Sequence, residues 1–320
     1  MRSRTQEHVP APGLLARARL LAAPTVDASV VRELERISGR SVEQGSSGTV
    51  PEEPFIYVGA SLPDALRGGS LVWFHSVNAG TDALLAAGPW PSGALLTRTV
   101  GRMGERIAQY VLAWVLADCQ SVPEFAAQHA RAEWRRIPSE LAAGRTAVIY
   151  GTGRIGSAVA ALLRRCGIRT VGVGRGARTA VAGFDRVVGA DDDAQPLAEA
   201  RWVVTTLPLT PATDRFFGTD RFAGMDDATF INVGRGATVD LQALEAALHA
   251  GAVGRAVLDV LPEEPAAPGD RCWQLPRTVI TSHSAGITAD EDIVIDFAAC
   301  WEAMAQGRVP GTAVDVGRGY

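Results

Sequence analysis

Residues 146–166 read TAVIYGTGRIGSAVAALLRRC. Thr146 to Tyr150 form a short apolar run of the kind that fills a strand buried on both faces. From Ile155 to Leu163 the apolar residues recur at helical spacing, and Arg164 and Arg165 follow in the last turn. Between strand and helix lie Gly151, Gly153 and Gly156. Glycine permits a tight turn at the first place, close approach of an anion at the second, and close helix–strand packing at the third. The free N–H groups of the helix start then face that anion. A bare G-x-G-x-x-G says little, but between a strand and a helix it predicts a dinucleotide pyrophosphate site in a Rossmann-type unit.

Downstream the alternation is regular. Strands are expected at RTVGV, RVVG, WVVTTL, TFINV, GRAVLDV and TVITS, with helices at AQPLAEA and DLQALEAALHAG. This is the pattern of a doubly wound parallel sheet. Upstream, ARLLAA, FIYVGA and LVWFHS read as strands, Val26–Ile37 as an amphipathic helix, and Pro63–Leu66 as a short helical or turn segment. A smaller, flavodoxin-like parallel α/β unit is predicted there. Residues 44–54 form a polar loop. GERIAQYVLAWVLADC, starting at Gly104, is a helix apolar on most faces, which predicts burial against another domain or subunit, and Pro123–Arg136 is a second, polar helix. The helix at about 289–306 is expected to return to the first unit. The division is therefore 99–287 for the dinucleotide-binding domain, and 1–98 with 288–320 for a discontinuous substrate domain.

The 320 residues are 47% apolar and 21% charged, the composition of a globular protein. No run reaches the roughly 18 apolar residues of a spanning helix, and Arg17 and Arg19 spoil the N-terminal stretch as a signal peptide. A cytoplasmic protein is expected. The net charge of -4 argues against nucleic acid or an anionic membrane as partner. Cys119, Cys166, Cys272 and Cys300 lack C-x-x-C spacing and read as reduced structural thiols. No His/Asp/Glu cluster has metal-ligand spacing, so no metal is expected. The chain has no lysine, which excludes Schiff-base chemistry through an enzyme lysine and a Walker phosphate loop.

The end of the second strand selects the dinucleotide. A carboxylate there holds a free ribose 2′-hydroxyl. Here Gly174 occupies the place, followed by Arg175 and Arg178. Two guanidinium groups and no carboxylate favour a 2′-phosphate. The expectation is NADP(H), with NAD(H) possible.

Three polar residues fall at strand ends in the second half: Arg235 in NVGRG, Glu264 in LDVLPEEP and His283 in VITSHSAG. That edge is where open α/β sheets bind ligands. Arginine grips a carboxylate with two parallel hydrogen bonds, and a histidine beside a carboxylate serves as acid or base. Gly234 and Gly236 strip bulk from both sides of Arg235, which reads as room for an anion to approach.

The segments GTGRIG, TTLPLTPATDRFF, INVGRGATVD, LDVLPEEP and TSHSAG, in this order, resemble the D-isomer-specific 2-hydroxyacid dehydrogenases over about residues 70–306. GRMGERIAQYVLAWVL and RAEWRR are most similar to the glyoxylate/hydroxypyruvate reductase branch, which commonly uses NADPH. The resemblance implies reduction of a small 2-keto acid to the D-2-hydroxy acid by a homodimer with the 104–119 helix at its interface. It implies that Arg235 binds the substrate carboxylate, that His283 gives the proton, and that Glu264 keeps His283 protonated while Glu263 faces solvent. Asn78, Ala79 and Gly80 would hold the carboxylate through backbone N–H groups. Cofactor contacts would come from Gly151, Gly153, Arg154, Ile155, Gly156, Arg175, Arg178, Thr206, Leu207, Pro208, Val233, Gly234, Asp259, Ala285 and Gly286. Ser282 stands where the family usually has proline before the histidine, a change expected to loosen the turn. The alternatives are a bulkier 2-keto acid, phosphoglycerate or phosphite as substrate, or a non-catalytic dinucleotide-sensing protein. His75 is read either as a substrate contact or as a strand residue, and Trp73, Met103 and Trp273 as core more than pocket wall. His8, His129 and His249 have no evident partner.

Overall fold

The computed structural model describes residues 9–45, 51–178 and 181–317; His8 and residues 46–50 of the polar loop lie outside them. The chain divides into two compact units, residues 1–102 with 288–320, and residues 103–287.

The first unit is built on β1 (Arg19–Ala22), β2 (Val42–Gln44), β3 (Phe55–Gly59), β4 (Leu71–Ser76) and β5 (Leu95–Arg98), all parallel in the order β2-β1-β3-β4-β5. That is the flavodoxin-like order. β3 is buried along its whole length, as a strand covered on both faces must be. The helix Ala28–Ser38 starts where the Asp27 carboxylate accepts from Ser29 N–H at 2.7 Å and stops at Gly39, whose φ of 68° a side chain would resist. The C-terminal helix Asp290–Ala305 packs into this core, with Phe297 stacked 4.9 Å from Trp73.

The second unit carries β6 (Thr146–Tyr150), β7 (Arg169–Gly174), β8 (Arg186–Gly189), β9 (Trp202–Thr205), β10 (Ala228–Asn232), β11 (Val253–Leu258) and β12 (Thr278–Ile280). Their order is β12-β11-β10-β9-β6-β7-β8, all parallel. The chain runs outward from β6 on one side, then crosses and runs outward from β9 on the other, so the switch point lies between β6 and β9. Ligands of doubly wound sheets bind at such a point, beyond the carboxyl ends of the strands. The long helix Met103–Cys119 buries Ile107, Ala108, Val111 and Val115 in this unit's core, while Leu116 stays 44% exposed.

Three expectations are corrected. The second polar helix spans only Val122–Ala130. Ala132 takes a φ of 53°, and the residues beyond offer no apolar face to bury: Trp134 is 98% exposed. The edge strands β2 and β5 were not expected, and β2 occupies part of the presumed loop. Trp273 is not core. It lies 48% exposed on a single turn at Arg271–Gln274, its indole N–H donating to the Ala267 carbonyl at 2.8 Å.

Candidate active site

The glycine loop leaves β6 at the switch point. Gly151 has a φ of 98°, and a Cβ there would stand 2.5 Å from Thr206 Oγ1. Thr206, which follows β9, in turn donates its hydroxyl to the Tyr150 carbonyl at 3.0 Å. A Cβ on Gly156 would meet the Gly151 carbonyl oxygen at 1.8 Å, so helix Arg154–Arg165 can approach the strand only because residue 156 has no side chain. A Cβ on Gly153 would meet nothing within 4 Å, and no side chain caps the helix that begins there. An open space lined by uncapped N–H groups suits a pyrophosphate. The residues present therefore fit a dinucleotide.

At the end of β7, Arg175 and Arg178 are exposed. The Arg178 backbone bridges to Val187. Thr152, in the middle of the glycine loop, faces this place: a Cβ on Gly174 would sit 3.3 Å from its hydroxyl.

β10, β11 and β12 are neighbours in one parallel sheet, so the loops carrying Arg235, Glu264 and His283 leave the same edge. The buried Asn232 fixes the Arg235 turn: its amide accepts from Gly234 N–H at 3.0 Å and donates to the Arg235 carbonyl at 3.2 Å. Thr238 donates to the same carbonyl at 2.6 Å. The half-buried Arg235 guanidinium donates to the Gly234 carbonyl at 2.8 Å. The glycine pair has another cause than ligand access. A Cβ on Gly234 would meet the Leu207 carbonyl at 2.6 Å, and one on Gly236 the Leu261 carbonyl carbon at 1.9 Å. Both glycines are required by protein backbone lying against them.

His283 Nδ1 and Glu264 Oε2 are 2.7 Å apart. The other carboxylate oxygen accepts from Leu261 N–H at 2.8 Å, which anchors Glu264, and Glu263 beside it is exposed. A carboxylate at Nδ1 fixes the ring's orientation and leaves Nε2 to face a ligand. Asp259, only 3% exposed, lies beneath this turn. Its carboxylate accepts from Thr281 Oγ1 at 2.7 Å, Ser284 N–H at 2.8 Å and Ala285 N–H at 3.1 Å, and its carbonyl accepts from His283 N–H at 2.6 Å. The turn is thus pinned without proline and is not loose. Gly286 follows where a Cβ would meet Ile107 at 2.9 Å.

In the first unit, the turn after β4 is shaped by Ser76, whose hydroxyl accepts from Asn78 N–H at 3.1 Å and donates to the Asn78 carbonyl at 3.0 Å. Arg98 donates to the Ala79 carbonyl at 3.2 Å. His75 is a strand residue, fully buried, and does not reach solvent. Thr99 donates to the Ser76 carbonyl at 2.8 Å, so it accepts from His75 Nε2–H, and Nδ1 accepts from Thr97. Burial pushes this imidazole down to about 3, which keeps it neutral. His129 and His249 are exposed, and three of the four free cysteines are buried. Among the described residues no group of His, Cys, Asp or Glu is placed to hold a metal, and no helix is long and apolar enough to cross a membrane.

Sequence reading missed Asn232, Thr281 and Tyr110. Asn232 sits at a strand end two residues before Gly234, which is a signal of a side chain folding back on its own turn.

This arrangement, a dinucleotide loop at the switch point with an arginine and a histidine–carboxylate pair on the same sheet edge, is that of a nicotinamide-dependent oxidoreductase. The family described as "D-isomer specific 2-hydroxyacid dehydrogenase, NAD binding domain" matches residues 112–285. The chain is 56% identical over 277 residues to an uncharacterized protein in the mprR 3′ region of Streptomyces coelicolor, covering 86% of this chain and 99% of that one. It is 30% identical over 259 residues to glyoxylate/hydroxypyruvate reductase A of Serratia proteamaculans, covering 79% and 82%. The crystal structure of a D-isomer specific 2-hydroxyacid dehydrogenase from Xanthobacter autotrophicus Py2, in complex with NADPH and MES, superposes with a TM-score of 0.85 at 28% identity, over 95% of this chain and 100% of that one. The chain belongs to the D-isomer specific 2-hydroxyacid dehydrogenase family, and its second unit is the family's NAD(P)-binding domain.

Proposed function

We propose that this protein is a cytoplasmic, homodimeric, NADPH-dependent reductase of small 2-keto acids, glyoxylate or hydroxypyruvate first among them. The observation that carries the reading is the 2.7 Å pairing of His283 Nδ1 with Glu264 beyond β11 and β12, on the sheet edge that also carries Arg235. Arg235 binds the substrate carboxylate and draws electron density from the neighbouring keto group. His283 gives a proton from Nε2 to the carbonyl oxygen, and Glu264 stabilises the imidazolium that makes this possible. A bound nicotinamide in its reduced form supplies the hydride to the carbonyl carbon. One proton and one hydride added to the C=O bond give the 2-hydroxy acid.

NADPH is preferred because Arg175 and Arg178 stand where a carboxylate would repel a 2′-phosphate. The small substrate is supported by the relatives named glyoxylate/hydroxypyruvate reductase A. The dimer is supported by Leu116, Val122 and Phe125, apolar and exposed on the Met103–Cys119 and Val122–Ala130 helices.

The test is the initial rate of NADPH oxidation with glyoxylate, hydroxypyruvate, pyruvate and phenylpyruvate, each repeated with NADH. The proposal expects the highest kcat/KM for NADPH with glyoxylate or hydroxypyruvate. A preference for NADH overturns the cofactor assignment, and no turnover on any 2-keto acid overturns the substrate class.

A further inference from the structure

The turn that presents His283 holds two consecutive residues in the left-handed region, Ser282 at φ 55° and His283 at φ 56°. Neither is glycine, so this conformation persists only where the surroundings enforce it. Proline is excluded at 282 in this geometry, because its ring locks φ near -65°. The rigidity must come from outside the turn.

It comes through a directed chain of hydroxyl groups. Asp259 already accepts two backbone N–H groups of the turn with its carboxylate. Thr281 Oγ1 gives its one proton to Asp259 Oδ1 across 2.7 Å. Thr281 Oγ1 must then accept from the Tyr110 phenol, 2.7 Å away on the Met103–Cys119 helix. Burial, with the Asp259 charge adding to it, pushes Tyr110 up to about 12, so the phenol keeps the proton it donates. The chain ends in the Asp259 carboxylate, and the backbone carbonyl of the same residue accepts His283 N–H at 2.6 Å. Tyr110 thereby ties a helix to the loop that carries the histidine.

We propose that Tyr110 and Thr281 are positioning residues that hold His283 in its proton-donating pose through Asp259. This rests on the reading of His283 as the proton donor. Neither residue touches the reacting atoms; each acts by confining the turn.

The experiment compares Thr281→Val, which keeps the shape and loses the hydroxyl, Thr281→Ser, which keeps the hydroxyl, Tyr110→Phe, and His283→Ala. The readouts are kcat and KM with the best 2-keto acid, the Kd of NADPH, and Tm. Thr281→Val should lower kcat on the order of tenfold, within the ~100-fold that a 1 Å misplacement costs, with the Kd of NADPH unchanged. Tyr110→Phe should lower kcat in the same direction by a smaller factor, and Thr281→Ser should restore it to within about threefold of wild type. Tyr110→Phe keeps the ring in place and carries the test alone if Thr281→Val lowers Tm. Wild-type kcat in both Thr281→Val and Tyr110→Phe, or a Thr281→Val loss that serine does not rescue, overturns the proposal. If His283→Ala keeps its turnover, the proton-donor reading falls first. If His283→Ala is inactive while Thr281→Val and Tyr110→Phe are not, only the positioning chain falls.

Discussion

Replacing Gly153 and Gly156 by alanine, one at a time, should separate stability from cofactor binding within a span of four residues. At Gly156 the added methyl would meet the Gly151 carbonyl oxygen at 1.8 Å and its carbon at 3.0 Å, against an ordinary contact of 3.4–4 Å. Both atoms are backbone, so relief requires the helix to move away from β6. Overpacking of this kind costs about 1–3 kcal/mol, and the depth of this clash places it at the upper end. For a unit of this size about 1 kcal/mol lowers Tm by roughly 2–4 °C, giving a fall of roughly 6–12 °C. At Gly153 the methyl meets nothing within 4 Å, and the φ of -83° is one alanine adopts freely. Loss of glycine's freedom in the unfolded chain should even add about 0.4–1 kcal/mol. The methyl does, however, fill the space a pyrophosphate must enter, and NADPH affinity should fall by about tenfold or more, which is ~1.4 kcal/mol. Thermal melts and NADPH titration of both variants make the measurement. Wild-type Tm in Gly156→Ala, or wild-type NADPH affinity in Gly153→Ala, would refute the reasoning.

Two further outcomes are expected. Arg175→Ala combined with Arg178→Ala should raise the KM for NADPH at least about tenfold and leave that for NADH within about twofold, since each charge-assisted hydrogen bond to a phosphate contributes on the order of 1.5–3 kcal/mol; equal effects on both cofactors would contradict the assignment. His75 is neutral in the folded protein, its value depressed by burial from 6.5 to about 3. As pH falls below 6.5 the unfolded chain takes up the proton first, so the folded state should lose about 1.4 kcal/mol per pH unit from this residue until about 3, and nothing above 6.5. Denaturant midpoints of wild type and His75→Gln on both sides of pH 6.5 should therefore diverge in slope, and parallel curves would show that His75 is not buried uncharged.

The strands that were legible are the ones buried on both faces, such as β3, β6, β9 and β10, whose continuous apolar runs leave one reading. β2 and β5 are short edges of their sheet, and the half-exposed VEQ of β2 carries no alternation to detect. The polar helix reads as longer in the sequence because Arg131 to Arg136 favour a helix by composition, while what ends it is the left-handed Ala132, a backbone state no alanine announces. At the candidate site, the meeting of Arg235, Glu264 and His283 on one sheet edge was legible because each follows an apolar strand. What holds them was not. Tyr110 reads as one more aromatic in an apolar helix, and its bond to Thr281 spans 171 residues. The reading of Gly234 and Gly236 as ligand space failed because sequence shows that bulk is absent without showing whether Leu207, Leu261 or a substrate fills the room.

The most direct test is the turnover of His283→Ala with saturating NADPH and the best small 2-keto acid, alongside its Kd for NADPH. A proton donor contributes ~100-fold or more, so the account predicts a loss of at least that size with NADPH binding unchanged. Turnover within about threefold of wild type would contradict it, because general acids rarely contribute so little.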